Sequence, residues 1–159
     1  MTMTGIFAAL ITLMTAYICH IPIGINGGYV HCGDAFVYLA AAMLPTPYAL
    51  AAAAIGGGLA DLLTAPMWAP ASVVIKMLLV LLFTNKEPHL VNIRNVMSTI
   101  AAYLISGIGY YVAEWIMFES GAVFVVSMAQ TAIQSLGSAV VFVLLGTALD
   151  RVHVKKRFL

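Results

Sequence analysis

The side chains able to do chemistry in this sequence can be named almost one by one, because only 8% of its 159 residues are charged. They crowd first into Asn26-Gly-Gly-Tyr-Val-His-Cys-Gly-Asp34, where an amide, a phenol, an imidazole and a carboxylate stand among glycines between apolar runs. His31 and Asp34 fall three residues apart and share a face if a helix starts there. Asp34 then either caps or orients His31, or meets a solute; two residues of this kind do not make a metal site.

Further along, Lys76 lies inside an apolar run about six residues below Pro70, roughly 9 Å into a membrane at 1.5 Å per residue. An ionisable group at such a depth is costly and marks either a ligand contact or an internal salt bridge, for instance with Asp61. Tyr103, Gly107, Tyr110 and Glu114 recur every three or four residues, with Tyr111 at the margin of their face. Tyrosine also belongs to interfacial belts, whereas a buried Glu114 must find a cation or a donor. Gln130 and Gln134, one turn apart, each donate and accept, which suits the edge of a heterocycle or a neighbouring helix equally. His20 is a weaker candidate beside the first loop, and His89 and His153 belong with solvated links. The amide, carboxylate and aromatic groups together fit a small polar solute with a flat ring, stacked on Tyr or on Trp68. Catalysis fits less well. No serine sits in a nucleophile elbow, no His-Cys pair has an orienting third group, and no metal or other cofactor is expected.

The elements that must position these groups are apolar. At 63% hydrophobic residues the chain lies far outside the soluble balance, and it reads as an all-α integral membrane protein in a single domain. A net charge of +1 without a basic stripe excludes nucleic acid as a partner. Cys19 and Cys32 flank the first loop and are read as small core residues rather than a disulfide framework. The first segment has neither a basic start nor a small-residue cleavage site, so it is expected to be retained as a helix.

Six transmembrane helices are expected at about 5–23, 31–44, 48–65, 70–84, 96–118 and 122–149. Pro22 and Gly24 end the first; Pro45 and Pro47 separate the second from the third; Pro66 to Pro70 break the third from the fourth. The second is short for a full crossing, and a short helix ends where protein, water or solute satisfies its backbone. Gly56-Gly-Gly58 suits close helix packing. Six crossings put both termini on one side, together with Lys86, Arg94, Arg151, Lys155, Lys156 and Arg157. The positive-inside rule makes that side the cytoplasm of a cell membrane, which sets the candidate groups in the outer half. No Walker loop is present, so the chain does not itself hydrolyse a nucleotide.

With these segments in place the chain resembles the substrate-binding S component of an energy-coupling factor (ECF) vitamin transporter. The residues that carry the resemblance are the small stripe Ala8, Thr12 and Ala16 of the first helix, the segment Gly27 to Phe36, and Gly56-Gly-Gly-Leu-Ala-Asp-Leu-Leu63. The resemblance implies a six-helix bundle that captures a vitamin or vitamin precursor from outside without chemistry. It also implies a transmembrane T component and two cytoplasmic ATPase subunits as partners. The stripe Ala8, Thr12 and Ala16 would be the coupling surface, with Thr12 in place of one alanine of the usual Ala-x-x-x-Ala; its spacing alone serves internal packing equally well. Trp68, Lys76, Tyr110, Glu114, Gln130 and Gln134 correspond to the family's binding regions, and the loop containing Asn26, Tyr29 and Val30 would close over the ligand. The acidic and amide groups favour an amino-bearing heterocycle, such as a thiamine pyrimidine precursor or a queuosine precursor. Two other classes compete: a membrane-embedded enzyme acting on a lipid, which needs a nucleophile or metal, and a small autonomous secondary transporter, which needs internal repeats or a continuous polar path.

Overall fold

The computed structural model describes residues 1–18, 20–22, 29–118 and 124–158, with the side chains of 29, 124–127 and 157–158 outside the description. Proline and glycine set most of the joints. Helix α1 (Thr2–Leu13) passes into a π-turn (Met14–Ile18), and a two-stranded antiparallel hairpin follows, β1 (Ile21–Pro22) pairing Ile21 with Val30 of β2 (Tyr29–Val30). Helix α2 (Asp34–Met43) stops before Pro45, which forces Leu44 into an extended conformation (ψ 152°). Helix α3 (Thr46–Thr64) carries Pro47 in its first turn, where a missing N–H costs nothing. A 3-10 turn (Pro66–Trp68) leads into α4 (Ala69–Leu82), and α5 (Ile93–Phe118), α6 (Phe124–Arg151) and a short α7 (Val154–Phe158) complete the order.

The arrangement is all-α, and its polarity is inverted relative to a protein in water. Leu78, Ile100, Leu104, Ile108, Leu136 and Leu144 are exposed, whereas Asp34, Lys76, Asn95, Ser106, Gln134 and Ser138 are buried. Such a surface is stable against lipid tails. Helices α3, α5 and the Met128–Arg151 part of α6 are each long and apolar enough to cross a membrane; Thr2–Ile18, α2 and Pro66–Leu82 are shorter.

Several boundaries differ from the sequence reading for local reasons. The first helix gives way at Leu13 to the π-turn and ends at Ile18, and Pro22 lies in β1. The second begins at Asp34 rather than His31, because His31 Nδ1 accepts the N–H of Gly33 at 3.0 Å and holds residues 31–33 in a turn. The fifth begins at Ile93, where Asn92 Oδ1 accepts the N–H of Asn95 at 2.9 Å and caps the helix.

Helix α2 is the centre of the bundle, in contact with α1, α3, α4 and α6. All its residues except Phe36 are buried, and apart from the carboxylate of Asp34 and the phenol of Tyr38 its side chains are small or apolar. Ten residues span roughly 15 Å, about half of a bilayer core. Its C-terminal end is fixed to the link between α4 and α5, since Asn85 Nδ2 donates to the carbonyl of Leu44 at 2.9 Å. Its N-terminal end therefore stops near mid-depth, with the β1–β2 hairpin on that side and β2 in contact with α6.

The opposite end of the bundle is stapled by polar side chains. Asn95 accepts from Thr84 N (2.8 Å) and donates to the carbonyls of Thr84 and Leu90 (both 3.0 Å). Asp150 accepts the N–H groups of Leu90 (2.8 Å) and Val91 (3.0 Å), which ties the link to α6. Lys155 donates to the carbonyl of Glu87 at 2.6 Å.

Candidate functional site

The glycine triplet of α3 makes the site possible. A Cβ on Gly56 would lie 2.7 Å from Ile11 Cβ and 2.8 Å from the Ala8 carbonyl, and one on Gly57 would lie 2.9 Å from Lys76 Cγ. The first glycine lets α1 close on α3. The second leaves room for the Lys76 stem, which enters the bundle from the middle of α4, seven residues beyond Ala69.

At the N-terminus of α2 that lysine meets Asp34. Lys76 Nζ donates to Asp34 Oδ1, and Gln134 Nε2 of α6 donates to Asp34 Oδ2 at 2.9 Å. Lys76 is 1% and Asp34 0% exposed. Neither ion could remain charged alone in such surroundings, and the pair is stable because each neutralises the other while Gln134 satisfies the second carboxylate oxygen. The N-terminus of α2 adds its positive dipole end beside Asp34. The cluster is thus a neutral unit carrying strong local charge.

An aromatic wall stands next to it. Trp68, the cap residue before α4, stands four residues ahead of Ser72, which stands four ahead of Lys76; Tyr110 of α5 joins them, its hydroxyl 2.9 Å from Ser72 Oγ. Lys76 Nζ lies 6.0 Å from the centre of the Tyr110 ring, near the outer range of a cation–π contact. Trp68 meets Tyr110 edge-on at 6.0 Å and 68°, and Phe118 at 6.5 Å.

Among the sequence-derived candidates the structure brings Asp34, Lys76, Gln134, Tyr110 and Trp68 together. Glu114, buried, and Gln130, half-buried, lie one turn toward the hairpin end on the faces of Tyr110 and Gln134. His31 is buried in the turn before α2. Asn26 falls outside the described residues, and Tyr29 is described only in its backbone, in β2. Lys76 forms an ion pair with Asp34, and Asp61, the partner named from the sequence, is buried in α3. Asp34 accepts from Lys76 on one oxygen and from Gln134 on the other, and His31 Nδ1 accepts the backbone N–H of Gly33.

Sequence reasoning missed Ser72, although its spacing of four from both Trp68 and Lys76 was visible. It also missed a tier of hydroxyls. Tyr38, Ser106 and Ser138 lie one turn toward the stapled end from Asp34, Tyr110 and Gln134, each on its own helix. Their oxygens, with Thr15 Oγ1, Trp68 Nε1 and Ser135 Oγ, are buried without a hydrogen-bond partner among the described residues. Native proteins leave few such groups, so their concentration around one ion pair marks a polar interior made to hold polar atoms. No group of three or more His, Cys, Asp or Glu able to hold a metal occurs among the described residues.

The stripe Ala8, Thr12 and Ala16 lies against α3. Ala8 and Ala16 are buried, and Thr12 Oγ1 donates to the carbonyls of Ala8 (2.9 Å) and Gly56 (3.1 Å). Ala8 and Thr12 also line an apolar groove between α1 and α3, together with Gly5, Ala9, Ile55 and Leu59.

A family model described as ECF-type riboflavin transporter, S component, matches residues 1–151. A search of curated proteins found no match.

Proposed function

This chain belongs to the family of ECF-type riboflavin transporter S components, and on that premise we propose that it captures a flat nitrogen heterocycle at the Asp34–Lys76–Gln134 cluster. The family is one of transporter components, which makes the chain the substrate-binding subunit of an ATP-driven importer. The observation that carries the substrate reading is the buried ion pair, held by Gln134 and walled by Trp68 and Tyr110. A ring lying against the indole and phenol gains stacking and apolar burial, while its edge meets strong donors and acceptors screened from water. No group in the cluster is placed as a nucleophile, so the chain binds and releases its solute unchanged.

Because Asp34 is already neutralised by Lys76, the cluster offers no net negative charge to a cationic ring. A neutral heterocycle is therefore favoured. Riboflavin, the cargo in the family's description, is of this kind; so are the pyrimidine precursor of thiamine and the precursors of queuosine, to which Glu114 offers an acceptor for an amino group. The β1–β2 strand pair, on the N-terminal side of α2 and against α6, covers the ligand from outside. The stapled end, with its basic residues, faces the cytoplasm of the cell membrane. The groove between α1 and α3 receives the T component, whose two ATPase partners drive reorientation and release.

The test is equilibrium binding of riboflavin, the thiamine pyrimidine and 7-deazaguanine precursors to the purified chain in detergent. Saturable binding of one of them, lost in Trp68→Ala, supports the proposal. Failure of all three overturns it.

A further inference from the structure

We propose that Asp34 is a positioning residue that fixes which edge of a heterocycle the site reads: an acceptor set against Lys76 beside a donor set against Gln134. This presupposes the capture function proposed above. An ionised carboxylate only accepts, so Gln134 must turn its Nε2 toward Asp34, and its Oε1 is left facing elsewhere as an acceptor. The same carboxylate takes one proton of the Lys76 ammonium, which carries two more donors. Asp34 thereby removes the ambiguity of a side-chain amide, which without it would present donor or acceptor with equal ease. The two residues it orients come from α4 and α6, and they converge on one carboxylate. The groups they have left are one amide acceptor and the other ammonium donors, anchored on the two oxygens of one carboxylate.

The ligand edge complementary to this pair is an acceptor adjacent to a donor. A ring carbonyl next to a ring N–H has it, as does a ring nitrogen next to an exocyclic amine. An edge with two acceptors leaves the Gln134 oxygen facing a lone pair, and an alkylated donor leaves it unpaired. Sites built to bond a polar group discriminate strongly against analogues that lack it.

The experiment uses the purified chain in detergent and two matched probe pairs. One is riboflavin and its N3-methyl derivative; the other is 4-amino-5-hydroxymethyl-2-methylpyrimidine and its N,N-dimethylamino derivative. Wild type is expected to bind one parent compound and to disfavour its methylated partner by about tenfold or more, the worth of one buried hydrogen bond. Gln134→Met is expected to bring parent and methylated probe to within about threefold while the protein still binds both. Since Asp34→Asn alone buries an unpaired lysine, the neutral double variant Asp34→Asn with Lys76→Gln serves as the second probe. It is expected to keep its melting temperature and lose the discrimination, which a merely structural Asp34 would leave intact. Equal binding of parent and methylated probe by wild type, or full discrimination in the double variant, overturns the positioning role alone. Binding of neither parent overturns this inference, and failure of the 7-deazaguanine precursors as well overturns the capture reading with it.

Discussion

At the scale of the residue, one buried ion pair holds the candidate site together. Lys76→Met removes the cation and leaves Asp34 charged in an apolar core, which should cost about 3–5 kcal/mol. Thermal unfolding in detergent measures this, and pairing the change with Asp34→Asn should restore most of the loss. Glu114→Gln tests the amino-group contact: it should weaken an amine-bearing probe such as the thiamine pyrimidine much more than a neutral flavin. Unchanged binding of both would remove Glu114 from the site. The types of these residues were legible in the sequence, since a lysine, a carboxylate and glutamines stand out in an apolar chain. Their pairing was not. Asp34 is 42 positions from Lys76 and 100 from Gln134, so helix spacing carries no information about which carboxylate meets the lysine. Asp61 was the partner the sequence suggested for Lys76, and the packing of α2 against α4 brings Asp34 to it.

At the scale of the element, a half-length helix and a glycine triplet determine where that pair sits. Gly56→Val would drive a side chain into the Ala8 carbonyl and Ile11 Cβ, which are backbone or branch-point atoms unable to step aside. A destabilisation of about 1–3 kcal/mol is expected, read as a lowered melting temperature. Gly107→Ala should be milder, because its new Cβ would meet the flexible end of Met128. Asp150→Ala frees the N–H groups of Leu90 and Val91 and should cost about 1.5–3 kcal/mol, with faster proteolysis between Thr84 and Asn92 as the check. The shortness of α2 followed from Pro45 and the glycines before Asp34, and the close packing of α3 followed from Gly56 to Gly58. The π-turn at Met14–Ile18 and the small hairpin left no signature. Neither has an apolar period of its own that local periodicity could reveal.

At the scale of the whole molecule, the inverted polarity explains how so small a chain buries a cluster of polar side chains. Lipid tails surround the apolar exterior, and the few polar groups turn inward onto one another and onto a solute. The all-α membrane class was evident from composition, and the family from the whole-chain pattern. The substrate was not, because carboxylates that seemed to invite a cation are partly spent inside the protein. In this account the chain captures its cargo alone and needs partners only for transport. The most direct measurement is therefore mass spectrometry of the purified chain, followed by titration of the compound found into the same protein without partners. One tightly held equivalent of a flat heterocycle, lost on Lys76→Met combined with Asp34→Asn, is the predicted result. A chain that binds no such compound and carries only lipid would contradict it.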